Sequence, residues 1–383
     1  MNVPKLRFKE FTDEWIKIDL STCFEYFSTN SLSREQLSDH GIIKNIHYGD
    51  IHKKYGNVVD VENDVATYIK DTDQINKYEF CCENDIIFAD ASEDYDGIGK
   101  AIELINVNEK LVSGLHTIHA RDKKQFFSPL FKGYYFNTPI IHNQIRILAN
   151  GFKVFGISKD NINNLKVMLP SKQEQDKIAK LLSLLDKKIE LQTKKIEALK
   201  LFKKGLLKTE YNKIKNKHLY QLNNIAEIYQ PQTLSQKQLE NGIYPVFGAN
   251  GIIGFHSSFN HTSSQITISC RGENAGSINK TPENCWINGN SMVINVDNNQ
   301  NIDKDYLKIV LESQNLKYLI SGSGQPQIIR ADIAKHKIPI ISIDKQLLYI
   351  KKFNLLDSKL LLEIAKLKNL NLLKKGFMQN MFV

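Results

Sequence analysis

The chain says one thing twice. "LLDKKIELQTKKIEALKLFKKGLL", Leu184–Leu207, returns as "LLDSKLLLEIAKLKNLNLLKKGFM", Leu355–Met378, at an offset of 171 residues and without a gap. Thirteen positions between 175 and 207 are identical at that offset, among them Gln175, Asp186, Leu191, Lys195, Lys203 and Gly205. Composition alone gives two lysine- and leucine-rich helices a few shared positions, but not a shared register and a shared closing Lys-Lys-Gly. The period is too long for a solenoid unit. A chain of 383 residues has room for two or three domains, and this one is built from two related halves.

Both copies read as helices. Ile178, Leu185, Gln192 and Leu199 recur every seven residues, as do Leu182, Ile189 and Ile196. The second copy gives Leu356, Glu363 and Leu370, with Phe353, Leu360 and Leu367. These are the a and d positions of a coiled coil. Each seam carries one polar residue at its middle, Gln192 and Glu363, and neither helix contains proline. Each helix packing only on its own domain is the plainer alternative, and the match between the seams favours pairing. Two such helices with a globular domain between them can pair antiparallel about a pseudo-twofold axis, which places a domain at each end of a rod. A helix of about 35 residues spans ~50 Å, the rise of ~15 base pairs of DNA.

The segments before each helix hold short β-type runs between turn residues. "NDIIFAD" (84–90), "AIELINV" (101–107) and "LVSGLHTIHAR" (111–121) fill the first; "YPVFGANGIIGFH" (244–256), "QITISCRG" (265–272) and "SMVINV" (291–296) fill the second. At the offset of 171, "GISKDNINNLKVMLP" (156–170) faces "QIIRADIAKHKIPII" (327–341), so the domains are distant copies too. The expected class is α+β: two tandem domains of mixed α/β structure, 1–170 and 214–342, separated by long helices at 171–213 and 343–383 that pair as an antiparallel coiled coil.

Net charge is +9, and its placement matters more than its size. The first helical segment, 172–217, carries an excess of +8 and the second, 345–375, of +6, leaving −5 elsewhere. A lysine-rich helix face is either simply solvated or turned toward phosphate. No apolar run reaches membrane-spanning length, so no membrane role is expected. "MNVPKLRFKEF" has no apolar h-region, and five cysteines without a C-x-x-C suit free thiols in a reducing cytoplasm.

Chemistry is harder to find. Amino-methylation of a base needs an Asn/Asp-Pro-Pro-aromatic loop around the flipped base, and the chain has no Pro-Pro. The nearest approach to a phosphate-binding loop, "DGIGKA" (96–101), lacks the first glycine and the hydroxyl. "ADASEDYDGIGK" reads as an acidic turn. His116 and His119 alternate on a β-like run, on one face, with no third metal ligand in view.

The whole chain resembles the specificity subunits of type I restriction–modification enzymes. The opening "PKLRFKEFTDEW" (4–15) is similar to their usual start. "YPVFGANGIIGF", "SCRGENAGSI", "CWINGNSMVI" and "SGSGQPQII" resemble segments of their target-recognition domains, and "EQDKIAKLLSLLDKKIE" (174–190) resembles their central helix. The second helix departs by placing Lys345 where the first has Glu174, a change expected to weaken partner docking at one end. The resemblance implies a non-catalytic subunit that directs two adenine methyltransferase subunits, and through them restriction/translocase subunits, to a bipartite asymmetric site on double-stranded DNA. S-adenosylmethionine, ATP and Mg²⁺ would then belong to the partners. Arg, Lys, Asn and Gln read base edges best. The candidates are Arg271, Asn274, Asn279, Lys280, Gln325, Gln327 and Arg330 in the second domain, with Tyr48, Lys53, Lys54 and Tyr55 in the first. A coiled-coil scaffold whose heads bind protein is the alternative. A fused methylation and restriction enzyme is disfavoured by the missing methylation loop.

Overall fold

A computed structural model describes residues 3–72, 75, 77–322 and 326–383. It divides into two compact units, Met1–Leu191 with Leu367–Val383, and Gln192–Lys366. These are not contiguous blocks, since each takes part of both long helices, Lys172–Ile214 and Ile343–Asn380. Strong helix formers and the absence of proline carry both helices uninterrupted through a glycine toward the C-terminal end, Gly205 or Gly376.

In the first unit a five-stranded sheet runs Phe24–Phe27, Thr117–Asp122, Ile86–Ala89, Ala101–Ile105, Val58–Asp60, antiparallel except for the last pair. "LVSGLHTIHAR" is two strands, broken by a turn in which His116 takes a left-handed φ of 55°. A four-stranded sheet, Leu111–Ser113, Lys44–Ile46, Tyr68–Ile69 and Leu37–Ser38, stands beside it in sequence. The main core joins Trp15, Phe24, Phe88, Phe131 and Phe136 to Ile178 and Leu182 of the first helix and to Met378, Met381 and Phe382 at the chain's end. Phe382 meets Trp15 edge-on at 6.3 Å, and the Leu6 amide donates to the Asn380 carbonyl. The last residues are therefore core of this unit rather than a free helix end.

The second unit repeats the plan. Its sheet runs Glu227–Tyr229, Ser291–Asn295, Ile266–Ser269, Ile278–Lys280, the same four-strand order as the first. A bulged hairpin, Tyr244–Gly248 with Gly251–His256, adds a second sheet with Trp286–Ile287. A helix over Lys304–Ser313 is followed by a 3₁₀ turn over Leu316–Leu319. In each unit a closing strand, Val167–Leu169 or Lys337–Pro339, pairs antiparallel with an entry strand just before a long helix begins.

Each helix start is fastened to its domain by the same residue. Gln175 accepts the Ser128 amide at 2.8 Å and donates to the carbonyls of Phe126 and Pro170. Gln346 accepts the Asp303 amide at 2.8 Å and donates to Asn301 and Ile341. Both are buried. Glu174 receives Arg7 in a bidentate ion pair, both contacts 2.8 Å. The acid thus has an intrachain partner in the opening segment. Lys345 stands at the equivalent position of the second helix, so this acidic contact belongs to the first helix.

The helices pair antiparallel within each unit. In the first, Lys374 meets Asp186 at 2.5 Å; in the second, Lys203 meets Asp357 at 2.5 Å. Asp186 and Asp357 are equivalent at the offset of 171, and so are Lys203 and Lys374. One contact is therefore made twice with the helices exchanged. Ile178, Leu182, Leu185, Ile196, Phe353 and Glu363 are buried, whereas Ile189, Gln192, Leu199, Leu356, Leu360, Leu367 and Leu370 are half-buried. Ile178 and Leu182 also belong to the first unit's core, so those seam positions serve domain packing as well.

Candidate nucleic-acid interface

In the second unit, Arg271 and Gln327 form one isolated antiparallel bridge, the Gly272 amide donates to Pro326, and both side chains are exposed. Asn274 is exposed in the turn beyond Gly272, whose left-handed φ of 77° lets the chain double back. Arg330 opens the short helix Arg330–Lys335 and is exposed. The structure brings these four onto neighbouring turns. Asn279 and Lys280 sit on the strand Ile278–Lys280 instead. Lys280 is engaged by Asp305 at 2.5 Å, and the Asn279 amide points back to the Ala249 carbonyl at 3.4 Å. Gln325 lies outside the described residues.

In the first unit, Tyr48 begins a short helix, Tyr48–Lys53, that also carries Lys53; Lys54 caps it. Lys53 and Lys54 are exposed, and Lys54 pairs with the buried Asp50 at 3.0 Å, as does Arg34 in a bidentate contact. Burial alone would raise the Asp50 carboxyl, but the Arg34 and Lys54 contacts outweigh it and hold it below the usual range. The Tyr48 ring stands 5.2 Å from His116 and 4.7 Å from His47. Tyr55 is corrected. It is 7% exposed and packs with Ile51, Val59 and Leu104, because the chain leaving the helix Tyr48–Lys53 turns its ring into the core, so it presents no surface to a ligand.

His116 and His119 do not share a face. His116 is exposed in its turn, 3.3 Å from Asp90. His119 is fully buried, 2.7 Å from Asp85, whose carboxylate also accepts two Arg121 bonds at 2.8 and 2.9 Å and the Cys82 amide at 2.7 Å. Burial pushes Asp85 up, but His119 and Arg121 win and hold it ionised below its usual range. This network braces the sheet under Phe27, over which the Arg121 guanidinium lies at 4.5 Å. Among the described residues no group of three or more His, Cys, Asp or Glu is placed to hold a metal ion. No helix there is long and apolar enough to cross a membrane.

Two elements escaped the sequence reading. One is a hairpin closed by Asn150 and Gly156, whose amides and carbonyls exchange at 3.0 and 2.7 Å. The other is a bridge between Ser321 and Gln327, with both bonds at 2.9 Å. Both pairs are related by the offset of 171, which was the signal available to find the first from the second.

The model for the type I restriction modification DNA specificity domain matches this chain twice, over residues 12–201 and 214–372. The chain is 24% identical to the MjaX specificity subunit of Methanocaldococcus jannaschii, an alignment covering 98% of this chain and 96% of that one. It is 26% identical over 137 residues to the EcoprrI specificity subunit of Escherichia coli, a match spanning about a third of each protein (35% and 33%). The fold resembles the crystal structure of the S subunit from M. genitalium, with a TM-score of 0.59, 18% identity and coverage of 100% and 99%. It also resembles a chain from a structural study of assembly and conformational transition in the type I restriction–modification system, with a TM-score of 0.61 at 13% identity and coverage of 97% and 98%. With the doubled domain, the doubled helix and a family match on each half, the chain belongs to the specificity-subunit family of type I restriction–modification systems.

Proposed function

We propose that this chain is the non-catalytic reader of a type I restriction–modification complex. Its two domains each read one half of a bipartite, asymmetric site on double-stranded DNA. Its helix pair docks two copies of an adenine methyltransferase subunit, through which restriction/translocase subunits are recruited. S-adenosylmethionine, ATP and Mg²⁺ serve the partner subunits.

One observation supports the paired docking above the others. In the first unit Leu184, Leu191, Leu372 and Leu373 stand exposed on the long helices; in the second, Leu355, Leu362, Leu201 and Phe202 do. At the offset of 171 these are the same four positions, and all eight are 47–72% exposed. Scattered apolar residues on a surface need no explanation, but a repeated set does. A surface present twice suits two copies of one partner, just as an isologous contact suits a twofold pair. The lysine-rich remainder of the helices gives the chain a salt-dependent attraction to phosphate.

The test is reconstitution. Mixed with its methyltransferase subunit, the chain should methylate adenine at one two-part motif, with affinity falling steeply as salt rises. Methyl transfer by the chain alone, or salt-independent binding of protein in place of duplex DNA, would overturn the reading.

A further inference from the structure

The two heads share a bridge, Asn150 with Gly156 and Ser321 with Gln327, but not the residues around it. There the second head places Gln327 against Arg271. The first head places Gly156 against Ala91 at the same two positions. In both, the first bridge residue is followed by a glycine at positive φ, Gly151 at 133° and Gly322 at 93°. A Cβ on Gly151 would collide with the Val154 carbonyl, so the first turn is fixed by its sequence. Both are followed by an exposed basic residue at the head of a short helix, Lys159 in one and Arg330 in the other. The scaffold and its flanking charge are conserved between the halves, while the polar pair at the base is lost from the first head.

What the first head gains is at the tip. Phe152 is 94% exposed, beside exposed Lys153, with Val154 and the helix-end Ile147 exposed nearby in sequence. Phe155 anchors the turn on Tyr95 at 4.9 Å, and the Tyr95 hydroxyl donates to the Arg146 carbonyl at 2.9 Å. The tip is thus an apolar group with a cation beside it, held out from a braced base. In the major groove the apolar feature of a base pair is the thymine methyl, and phenylalanine is among the side chains that contact it.

We infer that the hairpin Asn150–Gly156 is a DNA-reading element of the first head, with Phe152 packing on base edges and Lys153 on the adjoining phosphate. The inference rests on the DNA-reading function proposed above and adds the element through which the first head reads.

The experiment uses the full chain with its methyltransferase subunit and maps the methylated motif. Phe152→Ala should relax one half-site by about tenfold or more, the scale of one lost base contact, and leave the other half-site intact. Phe152→Trp should retain a preference in that half-site. Lys153→Ala should weaken binding to all sequences alike and reduce the salt slope by about one. An unchanged motif with Phe152→Ala, equal loss in both half-sites, or loss of the methyltransferase from the complex would each overturn the inference. A wild-type complex with no two-part motif would instead overturn the broader reading. Because Phe152 has almost no contacts to lose, an unchanged melting temperature is the expected control.

Discussion

The side-chain amide of Gln192 donates to Glu363 twice, to its backbone carbonyl at 2.9 Å and to its carboxylate at 2.7 Å. The two residues are equivalent at the offset of 171, so a position of the repeat meets its own copy. Lys195 and Lys366, also equivalent, both reach the Glu363 carboxylate, at 3.0 and 3.3 Å. A true duplicate with glutamate on both sides would set two carboxylates against each other. Gln192 turns that repulsion into a hydrogen bond, and a polar layer of this kind fixes register at some cost in stability.

The Gln192 hydrogen bond first, then Lys195, hold the Glu363 carboxyl down to about 2 from an ordinary value of 4.5. A depressed carboxyl stabilises the fold above its unfolded value and loses that contribution as pH falls through the folded one. Wild type should therefore lose stability relative to Glu363→Gln between about pH 5 and pH 2. Parallel denaturation curves of the two proteins across that range would contradict the assignment.

The paired glutamines give a second expectation. Gln175→Ala leaves the Ser128 amide and the Phe126 and Pro170 carbonyls short of a partner, and Gln346→Ala does the same to Asp303, Asn301 and Ile341. Unmet buried backbone groups cost about 1–3 kcal/mol each. Allowing for water reaching some of them, each variant should lose about 2–4 kcal/mol in chemical denaturation. A loss below about 1 kcal/mol in either would show that the latch is not a shared device.

How much of this the sequence disclosed follows from its physics. The helix pair was legible because a seven-residue period and a gapless repeat are one-dimensional signals, and Gln192 and Glu363 stood out as polar residues in an apolar seam. The strands were legible as apolar runs between turns. Tyr55 was misjudged because it follows a short helix in irregular chain, where no period tells which way a ring turns. His116 and His119 were misjudged by count: they are three apart, and alternation with a period of two sets such residues on opposite faces of a strand; the turn at His116 then takes it out of the strand altogether. The part played by Met381 and Phe382 had no local signal at all. Core membership across more than 360 residues of chain is a property of topology, not of pattern.

That closure is testable. Phe382 is 3% exposed against Trp15, Phe131 and Tyr135. Phe382→Ala should cost about 3–5 kcal/mol, the usual range for a buried phenylalanine. Tryptophan fluorescence should report it through Trp15, whose environment changes with the cavity. A cost under about 1 kcal/mol, as at an exposed site, would mean that the tail is not part of that core.

In the second head Arg271 is exposed, and an arginine guanidinium can grip a guanine edge in two places. Arg271→Ala should cost roughly 1–3 kcal/mol of discrimination at one position of one half-site. Motif mapping on the reconstituted complex reads this directly. Uniform weakening over all sequences would instead make Arg271 a phosphate contact.

The doubled apolar set on the long helices makes a prediction about number. Leu184→Glu with Leu191→Glu alters only the first unit's copy, and both side chains are more than half exposed, so the fold should survive. On the docking proposed above, a charge at each of these two residues should remove one methyltransferase subunit per chain and leave the other bound. Adding Leu355→Glu and Leu362→Glu alters the equivalent positions of the second unit and should remove both. Mass measurement of the assembled complex distinguishes two, one and zero bound subunits. If the first pair of changes already releases both subunits, docking is a single cooperative event. If all four changes release none, the exposed leucines are not the docking surface, and the repeat of these positions has no functional account.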